Sequence, residues 1–66
     1  MPAFILIYKS QDDRVLHTEE VVMKNLRAAK ISASGNATAI TSVIEIQSNL
    51  GTLLSIKRGN KWADIN

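Results

Sequence analysis

Cysteine is absent from this 66-residue chain, which excludes a disulfide framework and any thiolate metal site, and fits a reducing compartment. Stability must come from apolar packing or from a partner. Histidine occurs once, at His17, with no second imidazole and no carboxylate spacing that closes a metal site. Aromatic residues are equally scarce, being Phe4, Tyr8 and Trp62 alone. No apolar run approaches the roughly 20 residues that span a bilayer. The amino terminus MPAFILIYKS has no basic region before its short apolar run and no small-residue cleavage site after it, so a signal peptide is not expected. These features predict a protein that is cytoplasmic, without membrane partners.

Catalytic patterns are missing as well. Asp12-Asp13 and Glu19-Glu20 are sequence neighbours whose side chains diverge, no serine has a base and oxyanion partner in a recognisable motif, and the three glycines form no phosphate loop. Asn36-Ala37-Thr38 matches a glycosylation acceptor, which has no weight without a secretory signal. The expectation is no enzyme, no catalytic residue, no metal and no cofactor.

A chain this short makes one domain, residues 1–66, that buries only roughly 60% of its unfolded surface. The run AFILIYK reads as a first strand, apolar on both faces and therefore central or covered twice, ending at the turn formers SQDD. Two readings are open for the next segment. Val15 to Met23 is a return strand followed by a short helix, Leu26 to Ser34, capped by Asn25; or Thr18 caps a long helix with the face Val22, Leu26, Ala29 and Ala33. Gly35 is the expected stop in both.

In TAITSVIEIQS, Ile40, Ser42, Ile44 and Ile46 alternate with Thr41, Val43, Glu45 and Gln47, the period of a half-buried strand. The strand TLLSIKR follows after Asn49-Leu50-Gly51, a three-residue loop suited to a type I turn closed by a left-handed glycine. That loop pairs Ile46 with Leu54 and Ile44 with Ile56. A two-residue turn at Gly59-Asn60 then sets Arg58 opposite Lys61, Lys57 opposite Trp62, Ile56 opposite Ala63 and Leu54 opposite Ile65. Ile44, Ile46, Leu54, Ile56, Ala63 and Ile65 are expected to face the core under Leu26, Ala29 and Ala33. Val43, Glu45, Leu53, Ser55, Lys57, Trp62 and Asp64 are expected on the outside.

Charge is unevenly spread. Residues 1–22 carry a net −2 and residues 23–66 a net +4, a polarity that points to an acidic partner, either nucleic acid or protein. Arg27 and Lys30 share a helical face. Arg58 and Lys61 stand opposite one another at a hairpin tip, where like charges repel and an anionic partner brings relief. The stem of Lys57 can lie on Trp62, with a cation–π contribution of about 0.5–1 kcal/mol at an exposed site. The same charges also serve to protect a sheet edge from pairing.

From Leu26 onward, the helix LRAAKISAS, the strand SVIEI, the turn glycine Gly51, the strand LLSIK and the ending GNKWADI together resemble the ninth subtype of the type I-F anti-CRISPR proteins. The likeness covers about the last forty residues and, more loosely, AFIL. It implies an α+β fold, an antiparallel sheet of four to five strands packed on one short helix in the order β-β-α-β-β-β, which turns Val15 to Met23 toward the strand. It further implies a phage-encoded inhibitor, acting in the infected bacterial host, that binds backbone subunits of the crRNA-guided surveillance complex, blocks target-DNA hybridisation and is associated with promoting non-specific DNA binding by the complex. By position, the resemblance marks Lys30, Lys57, Lys61 and Phe4 as contacts to protein or DNA. Arg27 and Arg58 add charge, and Trp62 supports the hairpin. A basic family position after the helix is Gly35 here, and an aromatic one in the penultimate strand is Leu53. The alternatives are a small phage protein that binds nucleic acid directly, or a regulatory module that associates with itself.

Overall fold

A computed structural model of the chain describes residues 1–65. Five antiparallel strands and one helix follow in the order β1 (Ala3–Lys9), β2 (Val15–Val22), α1 (Leu26–Asn36), β3 (Val43–Ser48), β4 (Leu53–Arg58) and β5 (Lys61–Asp64). The strands form one sheet in the spatial order β2-β1-β3-β4-β5. The α+β class and the β-β-α-β-β-β order are thus those the sequence and its resemblance predict. The long helix from Thr18 does not form, because Val15 to Val22 pairs along β1 from Lys9↔Val15 to Ala3↔Val22. Among the described residues no helix is long and apolar enough to cross a membrane.

β1 and β2 are joined by a tight loop in which Asp13 takes a left-handed backbone (φ 68°) and Ser10 N–H donates to the Arg14 carbonyl. Asn25 caps α1 as expected, its Oδ1 accepting from Ala28 N–H at 2.9 Å. The helix does not stop at Gly35. It continues to Asn36 and ends where Ala37 turns extended (φ −67°, ψ 142°), so Gly35 is a helical residue at some cost in backbone entropy rather than a left-handed cap. β3 also starts later than the alternation suggests. Thr38 to Ser42 closes a turn through the Thr41 N–H to Thr38 carbonyl bond, and Ile40 is left in solvent.

The core lies between the sheet and α1. Phe4, Leu6 and Tyr8 from β1, Ile44 and Ile46 from β3, and Ala29 and Ala33 from α1 are buried, with Val21, Met23, Leu26, Ala37, Leu54 and Trp62 packed around them. Small alanines let the helix backbone approach the larger residues of the sheet. Phe4 is only 6% exposed. The position that resemblance assigned to contact is therefore a core position.

The other correction concerns β4 and β5. The loop Asn49-Leu50-Gly51 has the expected form: Gly51 is left-handed (φ 88°), Ser48 N–H donates to the Thr52 carbonyl, and Gln47 pairs with Leu53. One step further the register slips by a residue, so that Ile46 faces Ser55 and Ile44 faces Lys57. Leu54 is the extra residue of this β-bulge. A one-residue slip reverses every side chain that follows. Ser55, Lys57, Trp62 and Asp64 therefore share the helix-covered face, whereas Ile56, Ala63 and Ile65 do not join the core. Leu54 packs on the core from the bulge itself. The Gly59-Asn60 turn forms with a left-handed Gly59 (φ 62°) and sets the predicted pairs Arg58↔Lys61, Lys57↔Trp62 and Ile56↔Ala63, with Ser55↔Asp64 in the same register and Ile65 N–H donating to the Leu54 carbonyl beyond it.

Candidate interaction site

Ser55 shows what the reversed register demands. Its side chain is fully buried beside Ile46, and its single hydroxyl proton has two acceptors in reach, Asp64 Oδ1 (2.8 Å) and the Ala63 carbonyl (3.1 Å). A polar group sealed from water must find such partners, and no buried side-chain nitrogen or oxygen among the described residues lacks one.

Asp64 in turn accepts from Lys30 of α1 (2.5 Å). The Lys30 hydrogen bond, followed by that of Ser55, holds the Asp64 carboxyl below its ordinary value. Strand alternation puts Trp62 beside Asp64, on the same face. The Lys30 Nζ lies 5.9 Å from the Trp62 ring centroid, and the Lys57 Nζ lies 5.9 Å from it as well. Lys57 also donates to Ser34 Oγ of α1 (3.1 Å). The last two strands are thereby tied to the helix by two lysines that lie against one indole.

The sequence-predicted contacts separate into groups. Lys30, Lys57 and Trp62 come together at the border of helix and sheet, with Arg27 exposed one turn earlier on α1. Arg58 and Lys61 face each other at the hairpin tip, but the alternation of β4 and β5 places them on the sheet face turned away from the helix. Phe4 lies in the core and offers no surface. Asp64 and Ser34 are the members of the site that residue-by-residue reading missed. The W-x-D spacing was the available signal, since positions two apart on a strand share a face.

No family model, no curated protein and no solved structure matches the chain. The site must be judged on its own chemistry.

That chemistry is positive charge set beside an aromatic surface. Lys30 is largely engaged by Asp64, so its role at rest is to hold the hairpin. Lys57 has only a neutral hydroxyl partner, and Arg27, Arg58 and Lys61 make no ion pair among the described residues. A half-exposed indole flanked by ammonium groups can stack on a base, an aromatic side chain or a guanidinium while the cations take phosphate or carboxylate.

A second cluster sits at the far end of the helix. Tyr8 is buried, donates its hydroxyl to Glu19 Oε1 (3.1 Å) and stacks on His17 with 5.9 Å between centroids. Burial, then the hydrogen bond and charge of Glu19, push the phenol up to about 12. A cavity of about 280 Å³ opens beside Tyr8 and His17, walled by Leu16, Asn36 and Ile40. No group of three metal-ligating side chains occurs among the described residues.

Proposed function

We propose that the protein is a non-enzymatic inhibitor of the kind its sequence resembles, one that binds backbone subunits of a type I-F crRNA-guided surveillance complex. In this reading it occupies the site where target DNA would pair, presenting Lys57 and Trp62 on the helix side and Lys61 on the other side of the hairpin tip, and acts in the cytoplasm of an infected bacterium. The observation that carries it is the convergence on Trp62 of Lys30 from the helix and Lys57 from the last hairpin, two lysines that the likeness marks as contacts and that lie far apart in sequence. Such a cluster suits a surface of carboxylates or phosphates, and the exposed Arg27 widens it, while Arg58 adds charge on the far side of the hairpin tip.

The test is capture of the protein by purified type I-F complex, read together with loading of target DNA. Capture of the wild type with reduced DNA loading supports the proposal, and capture should be lost when Lys30, Lys57 and Lys61 are changed together to Glu in a chain whose circular dichroism is unaltered. Undiminished capture of that variant removes the site assignment. No capture of the wild type removes the function. A shift of bare DNA by the protein alone, fading steeply with salt, favours the direct nucleic-acid binder instead.

A further inference from the structure

The face of the sheet turned away from α1 breaks the usual alternation of an antiparallel sheet with one side in water. Ile5 and Ile7 of β1 point there, together with Val43 of β3 and Ile56 of β4, and no element of the fold covers them. They are only half-buried, shielded by one another and by the ion pair of Lys9 with Glu45 (2.9 Å) that lies among them. The first strand, apolar on both sides, is thus a strand built to be covered twice and covered once.

We infer that this open face is the interface of a two-fold homodimer, in which the sheets of two copies stack on one another. Its charges argue for a second copy over an acidic partner. Glu20 on β2 lies in the cross-strand row of Ile5, Gln47 and Leu53, whereas Arg58 and Lys61 on β4 and β5 lie in the row of Lys9 and Val43. Acid and base therefore occupy diagonally opposite corners of the same face. A two-fold axis along the other diagonal crosses the two sets of strands at near right angles, one of the two common ways for sheets to stack. It brings Glu20 of each copy to the Arg58–Lys61 corner of the other, so both repulsive pairs find a carboxylate. Nucleic acid on this face would meet Glu20 and Glu45.

Size is consistent with a weak, specific pair. Five strands about 4.8 Å apart and about 20 Å long present roughly 400 Å² of projected face per copy, more once side-chain relief is counted. Two such faces make roughly 800 Å² in projection and, with that relief, approach the low end of specific interfaces, below about 1,200 Å² in total, where weak and transient pairs are found. A second layer also completes a core that in the single chain is seven buried apolar residues. Lys57 and Trp62 stay outside the stack on the helix side, and the two surfaces share only Arg58 and Lys61 at the hairpin tip.

Sedimentation equilibrium of the full chain, from about 1 µM to 1 mM, tests it. The expected result is a rise from the 7.3 kDa monomer to twice that mass, and no higher. Ile7→Lys should weaken association by about 30-fold or more, the scale of a central interface residue. Glu20→Lys should weaken it too, and Arg58→Glu with Lys61→Glu in that same chain should restore it. Because Ile7→Lys could unfold the chain, NMR of the unmodified protein gives an independent reading: concentration-dependent shifts should concentrate on Ile5, Ile7, Val43 and Ile56. A monomer at every concentration overturns the inference, as does a dimer whose shifts lie elsewhere. Protection of these residues only when type I-F complex is added overturns it in favour of that partner.

Discussion

Lys30 on the helix and Asp64 on the last strand are joined by an ion pair that ties α1 to the edge of the sheet. The strand β5 has only β4 as a neighbour in the sheet, so this contact, the Ser55 hydroxyl of β4 and the packing of Trp62 hold it to the rest of the fold.

The Asp64 carboxyl is held below its ordinary 3.8 by Lys30 and then Ser55, which gives the link a defined pH dependence. A carboxyl depressed in the folded state contributes stability above its unfolded value and loses it as pH falls through the folded one. Thermal melts should show Asp64→Asn less stable than the wild type at pH 7, with the gap closing as pH falls below the ordinary 3.8 and through the lower folded value. An equal gap at pH 7 and pH 2.5 would contradict this account of the pair.

Tyr8 is the sole tyrosine, so its ionisation can be followed directly by absorbance. The phenol should titrate near 12 in the folded chain, against an ordinary 10. Since the folded value is the higher, the associated stability is complete below pH 10 and is lost as pH rises toward 12. Glu19→Gln should lower the midpoint only partway, because burial is the largest cause. A full return to 10 would assign the shift to Glu19 instead.

Ser55 and Ile56 provide a check on the register. Ser55→Ala should cost about 1 kcal/mol, the worth of a buried hydroxyl hydrogen bond, whereas Ser55→Lys should prevent folding. Ile56→Lys should leave a folded chain, since its side chain points out of the core. Denaturant unfolding separates these outcomes, and an unfolded Ile56→Lys beside a folded Ser55→Lys would restore the register that loop length alone predicts.

Trp62 is both the scaffold and the reporter of the proposed site. Trp62→Ala should destabilise by about 2 kcal/mol, less than for a fully buried indole, and should weaken capture by an acidic partner even where the chain stays folded. Trp62→Phe should retain most of the stability. Quenching or shift of the lone indole emission on partner binding checks its placement, and unchanged emission at saturating partner would remove Trp62 from the contact surface.

Much of the fold could be read locally. The Asn25 cap, the buried Ala29 and Ala33, the left-handed Gly51 and the Gly59-Asn60 turn each follow from residue chemistry within a few positions, and each is where the pattern puts it. The bulge at Leu54 was not legible, because no glycine or proline marks it and its stabilisation comes from Ser55 meeting Asp64 across the sheet. That single extra residue moved Lys57 and Trp62 to the helix side and so created their meeting with Lys30.

What the sequence by itself determined is therefore the set of elements, their caps and turns, and the polarity of charge along the chain, all of them set by short-range sterics and composition. Only the tertiary structure decided which face each residue of the last two strands presents, that Phe4 is packing rather than contact, and that Asp64 restrains Lys30. Those outcomes depend on pairing between distant segments, where a slip of one residue exchanges inside for outside.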